Sequence, residues 1–404
     1  MKSILAAALA VCLCPAVLMA QSSAPAADQA ALTQGNNAFA VDLYGQLRTQ
    51  PGNLFFSPES VSTAFGMAYA GARGQTATQI QHVFHFTLPP ERLHPAMGAL
   101  LKERNGAHPH YELHVADALW AEQDASFLPD YLKLMQDDYG AGLHRVDFEH
   151  APEAVRGTIN GWVAQETNNR IQNLIGPGAL TPQTRLVLTN AIYFKGSWLA
   201  PFLADDTETE DFYLSAKQTV KTPLMHRTGD YYYYDGGSFQ ALELPYNGSE
   251  LAMVVLLPKQ KDGLPALEKQ FTAAAVNTWI DKLELADKVV LTLPRFTMTQ
   301  QFELSSALSA MGMPLAFSGA SDFSGMTGKP DFTISAAIHK AFIEVNEQGT
   351  EAAAATGMIM VATAMRGEEP PPIVFRADHP FLFLIRDLQS GEILFMGRLE
   401  NPAS

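Results

Sequence analysis

The stretch HKAFIEVNEQGTEAAAAT, residues 339–356, decides the fold of this 404-residue chain. Residues Ile338 to Val345 are predicted as a strand. The second half of the stretch is a run of small residues. Taken alone, that run could be a helix or a flexible surface linker, because alanine is the best helix former.

Alternate residues of the second half fall into two sets, because successive side chains of a strand point to opposite faces. The inward set would be Thr350, Ala352, Ala354, Thr356 and Met358. The outward set would be Glu351, Ala353, Ala355 and Gly357. The only charge of the run lies in the outward set, no proline interrupts it, and Gly349 gives the preceding bend backbone freedom. The run could therefore enter a sheet as a new strand.

The N-terminus shows a basic residue, an apolar run and a small-residue exit in that order. Lys2 precedes the apolar run Ile4 to Leu13, and the exit lies at Ala20. This order predicts a signal peptide at residues 1–20 and a secreted or periplasmic protein. A lipoprotein signal at Cys12 is the weaker alternative, because the residue before it is not small.

Composition excludes several classes of function. Both cysteines, Cys12 and Cys14, lie in the predicted signal, which excludes a disulfide, a thiolate metal site and a catalytic cysteine after it. The net charge of −15 argues against nucleic acid and against a polyanion activator. No later stretch reaches the ~18 consecutive apolar residues of a membrane helix, so no membrane partner is expected.

Residues 21–404 are predicted to form a single domain. Length alone would favour two or three domains of about 150 residues, but proline and glycine are spread evenly and no linker marks a boundary. One long irregular segment lies near residues 357–374 and is either a disordered tether or an exposed functional loop.

Hydrophobic patterns predict a mixture of helices and strands. An amphipathic helix is expected around Phe39, Leu43 and Leu47, and another at residues 153–175. Strands are expected before Pro58 and at residues 111–120, 185–195, 240–244, 252–257, 289–293 and 338–345, with a hairpin at 381–385 and 392–399. The mixture predicts an α+β fold with large, mainly antiparallel sheets and packed helices.

Five motifs along the chain resemble those of the serpin family of serine protease inhibitors. They are NLFFSPES at 53–60, NAIYFKGSW at 190–198, LPRF at 293–296, DHPFLFLI at 378–385 and the stretch quoted first. The resemblance covers almost all of residues 21–404. It implies an inhibitory, bacterial-like member with an exposed reactive loop at about residues 348–374. Asn346 and Arg295 depart from the family, in which Asp and Lys are common, and the loop is somewhat long.

The resemblance implies an irreversible suicide-substrate inhibitor of serine proteases or of papain-like cysteine proteases. The protease attacks the loop and forms an acyl-enzyme, after which the cleaved hinge inserts into the central sheet and traps the covalent complex. The implied hinge comprises Glu347, Gly349, Thr350, Glu351, Ala352, Ala353, Ala354, Ala355 and Thr356. Such a protein is not an enzyme, needs no cofactor and is expected to be a monomer whose partner is the target protease.

Two groups of supporting residues follow from the same resemblance. A sheet-opening cluster would lie beneath the point where the sheet parts and would consist of Ser57, Ser60, Asn190 and His339. An insertion-point region with an ion pair would consist of Trp198, Arg295 and Glu347. Each polar residue of the cluster could also be an ordinary buried, hydrogen-bonded residue, and the two interpretations overlap because the cluster's task is to hold the sheet closed.

The cleaved bond follows, in the family, the residue sixteen positions after the hinge glutamate. That spacing places the bond between Thr363 and Ala364, where small side chains suit the shallow pocket of an elastase-like or subtilisin-like protease. Because the loop is long, bonds from Met360 to Arg366 stay open. Cleavage after Arg366 would suit a trypsin-like protease.

Rival functions have weaker support. The chain lacks a G-x-S-x-G elbow, an H-E-x-x-H helix and a Walker loop. A metal site at His108, His110 and His114 has no acidic or cysteine partner fixed by spacing, and the Tyr231–Tyr234 run fits sheet packing better than sugar stacking. The serious alternative is a non-inhibitory serpin that acts as a binding or carrier protein. Such a protein should tolerate bulky, charged or proline residues on inward hinge positions, and this chain has none.

Overall fold

A computed structural model describes residues 25–140, 142–350 and 371–404 of the chain. Its helices are α1 (Ala26–Leu47), α2 (Pro58–Gly71), α3 (Gly74–Val83), α4 (Pro90–Arg104), α5 (Pro129–Tyr139), α6 (Pro152–Glu166), α7 (Leu264–Gln270), α8 (Ala273–Asp281), α9 (Ser305–Met311) and α10 (Ser324–Thr327), with 3₁₀ turns at Ala204–Asp206 and Pro314–Phe317. Among these described residues, no helix is both long and apolar enough to span a bilayer.

The strands are β1 (Leu54–Phe56), β2 (Tyr111–Glu122), β3 (Leu143–Val146), β4 (Leu186–Ser197), β5 (Glu208–Ser215), β6 (Gln218–Asp235), β7 (Phe239–Pro245), β8 (Leu251–Pro258), β9 (Glu284–Pro294), β10 (Phe296–Glu303), β11 (Ile334–Asn346), β12 (Gly349–Thr350), β13 (Val374–Arg376), β14 (Phe381–Asp387) and β15 (Ile393–Leu399). The strands alternate with helices along the chain and group into two sheets.

The larger sheet has the order β1-β15-β14-β8-β7-β6-β9-β13, with β5 paired to β6. The smaller sheet, called the central sheet below, has the order β10-β11-β12-β4-β2-β3, and β11 also pairs with β4. Most pairings are antiparallel. Within the described ranges, the parallel pairs are β11 with β4, β2 with β3 and β13 with β9. The predicted α+β fold with large, mainly antiparallel sheets is confirmed.

Helix α2 is the buried helix on which the central sheet rests. It begins at Pro58, whose missing N–H costs nothing at the first helical position. Ser57 precedes it as N-cap and accepts a hydrogen bond from the backbone N–H of Ser60. Nearly every residue of α2 is buried, and the helix packs against β2, β4 and β15. Its N-terminus is therefore fixed beneath the middle of the central sheet.

Helix α6 covers the other face of the central sheet and is shorter than predicted. The predicted helix at residues 153–175 ends at Glu166, because Asn168 and Asn169 adopt left-handed backbone angles with φ of 50° and 62°. Asparagine tolerates that conformation better than most residues. The apolar pattern continues beyond the helix because Leu174 and its neighbours still pack against the same face of the sheet.

The predicted C-terminal hairpin is confirmed as β14 and β15, which pair antiparallel from Phe381 opposite Leu399 to Ile385 opposite Phe395. Gly391 lies in the connecting turn with φ of 75°, a conformation that favours glycine. Both strands are buried along most of their length and form a large part of the core.

We expect the cost of shortening a leucine to depend on this core. Leu384 is fully buried on β14, whereas Leu285 on β9 is 62% exposed. Leu384→Ala should lower the free energy of unfolding by about 2–5 kcal/mol, because it leaves a cavity. The matched change Leu285→Ala should stay within about 0.5 kcal/mol of the parent. Urea unfolding followed by circular dichroism measures both, and equal losses would contradict the assigned core.

Candidate functional site

Strand β12 consists of two residues of the predicted hinge, Gly349 and Thr350, which lie between β11 and β4. Thr350 pairs antiparallel with Val345 of β11 on one side and with Gly196 of β4 on the other. Gly349 pairs in the same way with Asn346 of β11 and with Ser197 of β4. The start of the predicted hinge thus already forms a short strand inside the central sheet.

Below β12, strands β11 and β4 pair directly with each other. This ladder is parallel and extends from Ile334 opposite Leu186 to Phe342 opposite Tyr193. The two strands are parted where β12 lies and joined below it. β12 therefore marks the point at which a longer inserted strand would begin to separate them.

Gly349 fits between the strands because it lacks a side chain. Its φ is 153°, and a Cβ atom at this position would overlap the carbonyl oxygen of Gly196 and the Cα atom of Ser197. The strand β4 therefore leaves room at this position for glycine alone among the standard residues.

Thr350 anchors β12 to the core below. Its side chain is fully buried, and its Oγ1 atom forms a 2.7 Å hydrogen bond with the hydroxyl of Tyr246. The Tyr246 ring stacks on Trp198, with ring centroids 4.7 Å apart. The inward orientation predicted for Thr350 agrees with this contact. Sequence reasoning missed Tyr246, and no local pattern relates it to a residue 104 positions away.

The predicted insertion-point residues Trp198, Arg295 and Glu347 lie together beside the bend between β11 and β12. Trp198 donates a 2.8 Å backbone hydrogen bond to the carbonyl of Gln348. Its indole Nε1 donates a 3.0 Å hydrogen bond to the carbonyl of Asn346. The bend is thus held from β4 at two points.

Glu347 is the acidic partner of the predicted ion pair. Its carboxylate accepts hydrogen bonds from the Arg295 guanidinium and, at 2.8 Å, from the hydroxyl of Thr207. Burial would raise the pKa of Glu347, but these hydrogen bonds outweigh it and lower the pKa below its usual value. Because Arg295 is 46% exposed, the pair adds little stability and mainly fixes position. Its part in insertion stays a prediction.

The predicted sheet-opening residues also lie together. Asn190 of β4 and His339 of β11 are directly opposite each other in the parallel ladder. Ser57 and Ser60 approach them from the N-terminus of α2, and all four residues are buried. The cluster therefore joins the two strands that insertion would separate, although its role in opening stays a prediction.

The hydrogen bonds of this cluster run in one direction. The backbone N–H of Ser57 donates to Nε2 of His339 at 3.1 Å, so the proton of the neutral ring is assigned to Nδ1. Nδ1–H then donates to the side-chain oxygen of Asn190. The Asn190 amide nitrogen donates to Ser60 Oγ and to a carboxylate oxygen of Asp117. The chain of donors thus crosses from β11 to β4 to β2.

His339 is neutral in this arrangement. Complete burial without a negative partner lowers its pKa from 6.5 to about 3. A protonated ring would carry a hydrogen on Nε2, which faces the N–H of Ser57, and two donors would then oppose each other. The closed sheet therefore excludes the charged form of His339.

Asp117 completes the cluster and was missed at the sequence level. It lies on β2 directly opposite Asn190, and its Oδ1 also accepts a 3.1 Å hydrogen bond from Ser60. Its other oxygen, Oδ2, is buried and has no hydrogen-bond partner among the described residues. The available sequence signal was an aspartate inside the apolar run VADALW. Buried polar residues normally have hydrogen-bond partners, so an aspartate in such a run indicates a polar cluster.

Several predicted residues lie outside the described residues. They are Glu351, Ala352, Ala353, Ala354, Ala355 and Thr356 of the hinge, and Thr363 and Ala364 at the predicted cleavage site. Their roles stay predictions.

The two rival groups have ordinary surroundings. His108 stacks on Tyr111 and His114 on Tyr193, with ring centroids 4.2 and 6.0 Å apart. In the ranges that the structure describes, no group of three or more histidine, cysteine or acidic residues is placed to hold a metal ion. The run Tyr231–Tyr234 lies in β6, where its first residue is buried and its second is exposed.

We expect acid to weaken the closed sheet through His339. Because its folded pKa lies below the ordinary 6.5, stability is lost as pH falls from about 6.5 towards 3. His339→Gln does not titrate and offers both a donor and an acceptor. The melting temperature of the parent should therefore fall more steeply between pH 7 and 4 than that of the variant. Parallel curves would show that His339 does not titrate on unfolding.

We also expect Gly349 to be irreplaceable. Gly349→Ala should displace β12 from β4 and cost about 1–3 kcal/mol, as other overpacked sites do. Gly161→Ala on α6 is a matched control, because a Cβ atom there meets no other atom. It should be neutral or raise stability by about 0.5–1 kcal/mol. Thermal unfolding of both variants measures the difference, and a harmless Gly349→Ala would contradict the position of β12.

Comparison with known proteins gives a family for this arrangement. The family model described as Serpin (serine protease inhibitor) matches residues 34–402. The leukocyte elastase inhibitor of Homo sapiens is 41% identical over 382 residues, which are 92% of this chain and 99% of that protein. The loop-inserted structure of a cleaved ovalbumin mutant matches with a TM-score of 0.82 and 29% identity, covering 92% of this chain and 100% of that one.

A human thyroxine-binding globulin in complex with thyroxine is a second similar structure. Its TM-score is 0.83 and its identity 28%, with 93% of this chain and 99% of that chain covered. The fold is therefore shared with a protein that binds thyroxine.

The comparisons contradict the predicted location. The human leukocyte elastase inhibitor and human Serpin B3, which is 37% identical, are intracellular proteins. The prediction of a signal peptide at residues 1–20 and of a secreted or periplasmic protein is therefore wrong. It rested on an apolar run after one lysine, which is a compositional signal alone. Residues 1–24 lie outside the described residues.

Family model, relatives and geometry agree over most of the chain. The match to the family model includes the central sheet, the two hinge residues between β11 and β4, and the polar cluster beneath them. A relative with 41% identity covers the same elements. The chain belongs to the serpin family of serine protease inhibitors.

Proposed function

We propose that this serpin is a single-use, suicide-substrate inhibitor that traps a serine protease by inserting its cleaved hinge into the central sheet. The observation that carries the proposal is β12, because Gly349 and Thr350 already occupy the place of a new strand between β11 and β4. The loop-inserted form of a cleaved ovalbumin mutant, a protein of the same fold, supports it.

Continuing the register of β12 would give each later hinge residue defined neighbours. Ala352 would lie between Ile343 and Phe194, which are both buried in the core. A small, uncharged side chain suits such a buried position. Glu351 would face the opposite side of the sheet, next to Lys195. The pattern of small and charged hinge residues thus matches the two faces of the sheet.

The same register would place Thr356 between His339 and Asn190. These two side chains are hydrogen-bonded to each other in the closed sheet. Insertion to this depth would therefore have to break that hydrogen bond and replace it with contacts to the new strand. The sheet-opening cluster would then control how far the hinge can insert.

Insertion would increase the number of backbone hydrogen bonds in the sheet. One parallel ladder between β11 and β4 would be replaced by two antiparallel ladders, one on each side of the new strand. Antiparallel pairing is slightly more stable per residue than parallel pairing, and each hydrogen bond contributes about 0.5–1.5 kcal/mol. The uncleaved protein is therefore held short of its most stable form by a kinetic barrier.

The target protease would supply the chemistry. Its nucleophile attacks the loop and forms an acyl-enzyme, as with a substrate. Insertion then drags the bound protease towards the far end of the sheet and disturbs its oxyanion hole, so that deacylation stalls. The serpin contributes strand geometry and stored free energy and no catalytic residue.

The predicted bond between Thr363 and Ala364 favours a protease with a shallow primary pocket. Similarity to leukocyte elastase inhibitors supports an elastase-like target, and small residues at the bond would also suit a subtilisin-like protease. Cleavage elsewhere between Met360 and Arg366 would change the target class, and a papain-like cysteine protease could be trapped by the same route.

The test is to incubate the protein with an elastase of the pancreatic type. We expect a covalent complex that survives denaturant and a released C-terminal peptide that starts at Ala364. Edman sequencing and mass spectrometry identify the peptide. If elastase-like, subtilisin-like and trypsin-like proteases all cut the loop but none is retained, and cutting does not raise the melting temperature, the proposal fails. The protein would then be a binding or carrier serpin.

A matched pair of variants serves as the control for insertion. Ala352→Arg puts a long charge on the inward face, whereas Glu351→Arg puts the same side chain on the outward face one residue earlier. The first should be cleaved without retaining the protease, and the second should still form the complex. Equal trapping by both variants would contradict the proposed register.

A further inference from the structure

We propose that Asp117 is a positioning residue for sheet opening, which acts through Asn190 on the hydrogen bond that joins β4 to β11. The inference rests on the proposed function, because opening matters only if the hinge inserts. It concerns a residue of β2, which is one strand removed from the place where the sheet parts.

Three side chains form a row across three strands. Asp117 of β2 lies opposite Asn190 of β4, which lies opposite His339 of β11. Asp117 accepts hydrogen bonds from the Asn190 amide nitrogen and from the Ser60 hydroxyl. An asparagine amide has a donor end and an acceptor end. By holding the donor end towards β2, Asp117 turns the acceptor end towards His339.

Within the described part of the chain, the carboxyl group of Asp117 has no basic partner. Its Oδ2 atom is buried without a hydrogen bond, and both carboxyl oxygens of the neighbouring Glu59 on α2 are in the same situation among the described residues. Arg104 attracts Glu59 electrostatically but donates its hydrogen bonds to Asp387 and Glu392, at 3.0 Å each. Among the described residues, the half-buried Asp117 and the buried Glu59 therefore lie near the start of α2 without ion pairs of their own.

The closed sheet favours the protonated form of both acids. Burial, together with repulsion from Glu59, raises the pKa of Asp117 well above its usual value, although hydrogen bonds from Ser60 and Asn190 oppose the shift. Burial and repulsion from Glu392 likewise raise the pKa of Glu59 to about 8, against the attraction of Arg104. The closed sheet thus favours the carboxylic acid form of Asp117 over the carboxylate.

Opening the sheet would admit water to the row and let Asp117 ionise. A raised pKa means that the closed form binds more protons than the open form above the ordinary value of 3.8. The closed form therefore loses stability as pH rises towards the raised pKa. Glu59 acts in the same direction up to about pH 8, whereas His339 acts in the opposite direction below pH 6.5.

The test measures opening without a protease. A synthetic peptide with the sequence of residues 350–361 is added to the full-length, uncleaved protein between pH 5 and 9. Its uptake into the central sheet is followed by the rise in melting temperature. Asp117→Asn keeps the shape and the acceptor oxygen but cannot ionise. The ratio of uptake rates, parent over variant, should rise by about tenfold or more from pH 6 to 9, because one linked proton gives up to tenfold per pH unit.

Two further variants separate the contributions. Glu59→Gln removes the titration of Glu59 and should leave the dependence on Asp117 in place. Asp117→Ala removes the anchor of Asn190, so its uptake should be fast at every pH. A constant ratio between the parent and Asp117→Asn would overturn the inference.

A measurement on the unmodified protein covers the case in which Asp117→Asn does not fold. Infrared difference spectra at pH 7 should show the loss of a protonated carboxyl band when the peptide is taken up. No such loss would also overturn the inference. If the parent takes up no peptide and gains no stability on cleavage, the proposed function fails and this inference with it. If the parent takes up the peptide but Asp117→Asn shows the same pH dependence as the parent, only the role of Asp117 is contradicted.

Discussion

Strands β4 and β11 hold each other through a parallel ladder that stops where β12 lies between them. Buried backbone N–H and C=O groups must stay paired, so these strands can separate only if another strand takes the vacated partners. The predicted hinge would do so, because its first residues, Gly349 and Thr350, already lie between the two strands. If the hinge inserts, the hydrogen bonds of this ladder must hold in the closed sheet and break when the new strand enters. The surroundings of the ladder are accordingly polar at one place and apolar elsewhere.

The polar place is the row formed by Asp117, Asn190 and His339 over the start of α2. Elsewhere the central sheet packs apolar side chains against α6 on one face and against the buried core on the other. Hydrogen bonds give a defined closed state and can be exchanged for others when a strand enters, whereas apolar packing has no such directional choice. Helix α2 supplies the fixed end of this network, because its N-terminus is capped by Ser57 and buried.

In the proposed mechanism, the bend at Glu347 and the row below it would have separate roles in insertion. Trp198 and Arg295 hold the bend before β12, where the hinge would enter the sheet. The row closes the sheet further down, where Thr356 would arrive. In the proposed mechanism, a hinge that is started but not completed would store the free energy that a trap needs, and the row would set the barrier that keeps it stored.

Sequence patterns predicted the fold class and several of the elements, and the resemblance to a family predicted the hinge. Strand periodicity predicted β11 and the C-terminal hairpin, and five motifs located the residues of the sheet-opening cluster and of the insertion-point region. The predicted helix at residues 153–175 was too long, because apolar spacing persists where Asn168 and Asn169 end the helix. Likewise, the apolar N-terminus led to a wrong location, because composition does not reveal how a segment is used.

Only the tertiary structure decided which distant residues meet. Asp117 reaches Asn190 across 73 positions of sequence, and Tyr246 reaches Thr350 across 104. The protonation of Asp117, Glu59 and His339 depends on such long-range contacts. Burial and the charge of neighbouring groups shift a pKa, and a local sequence pattern predicts neither of them.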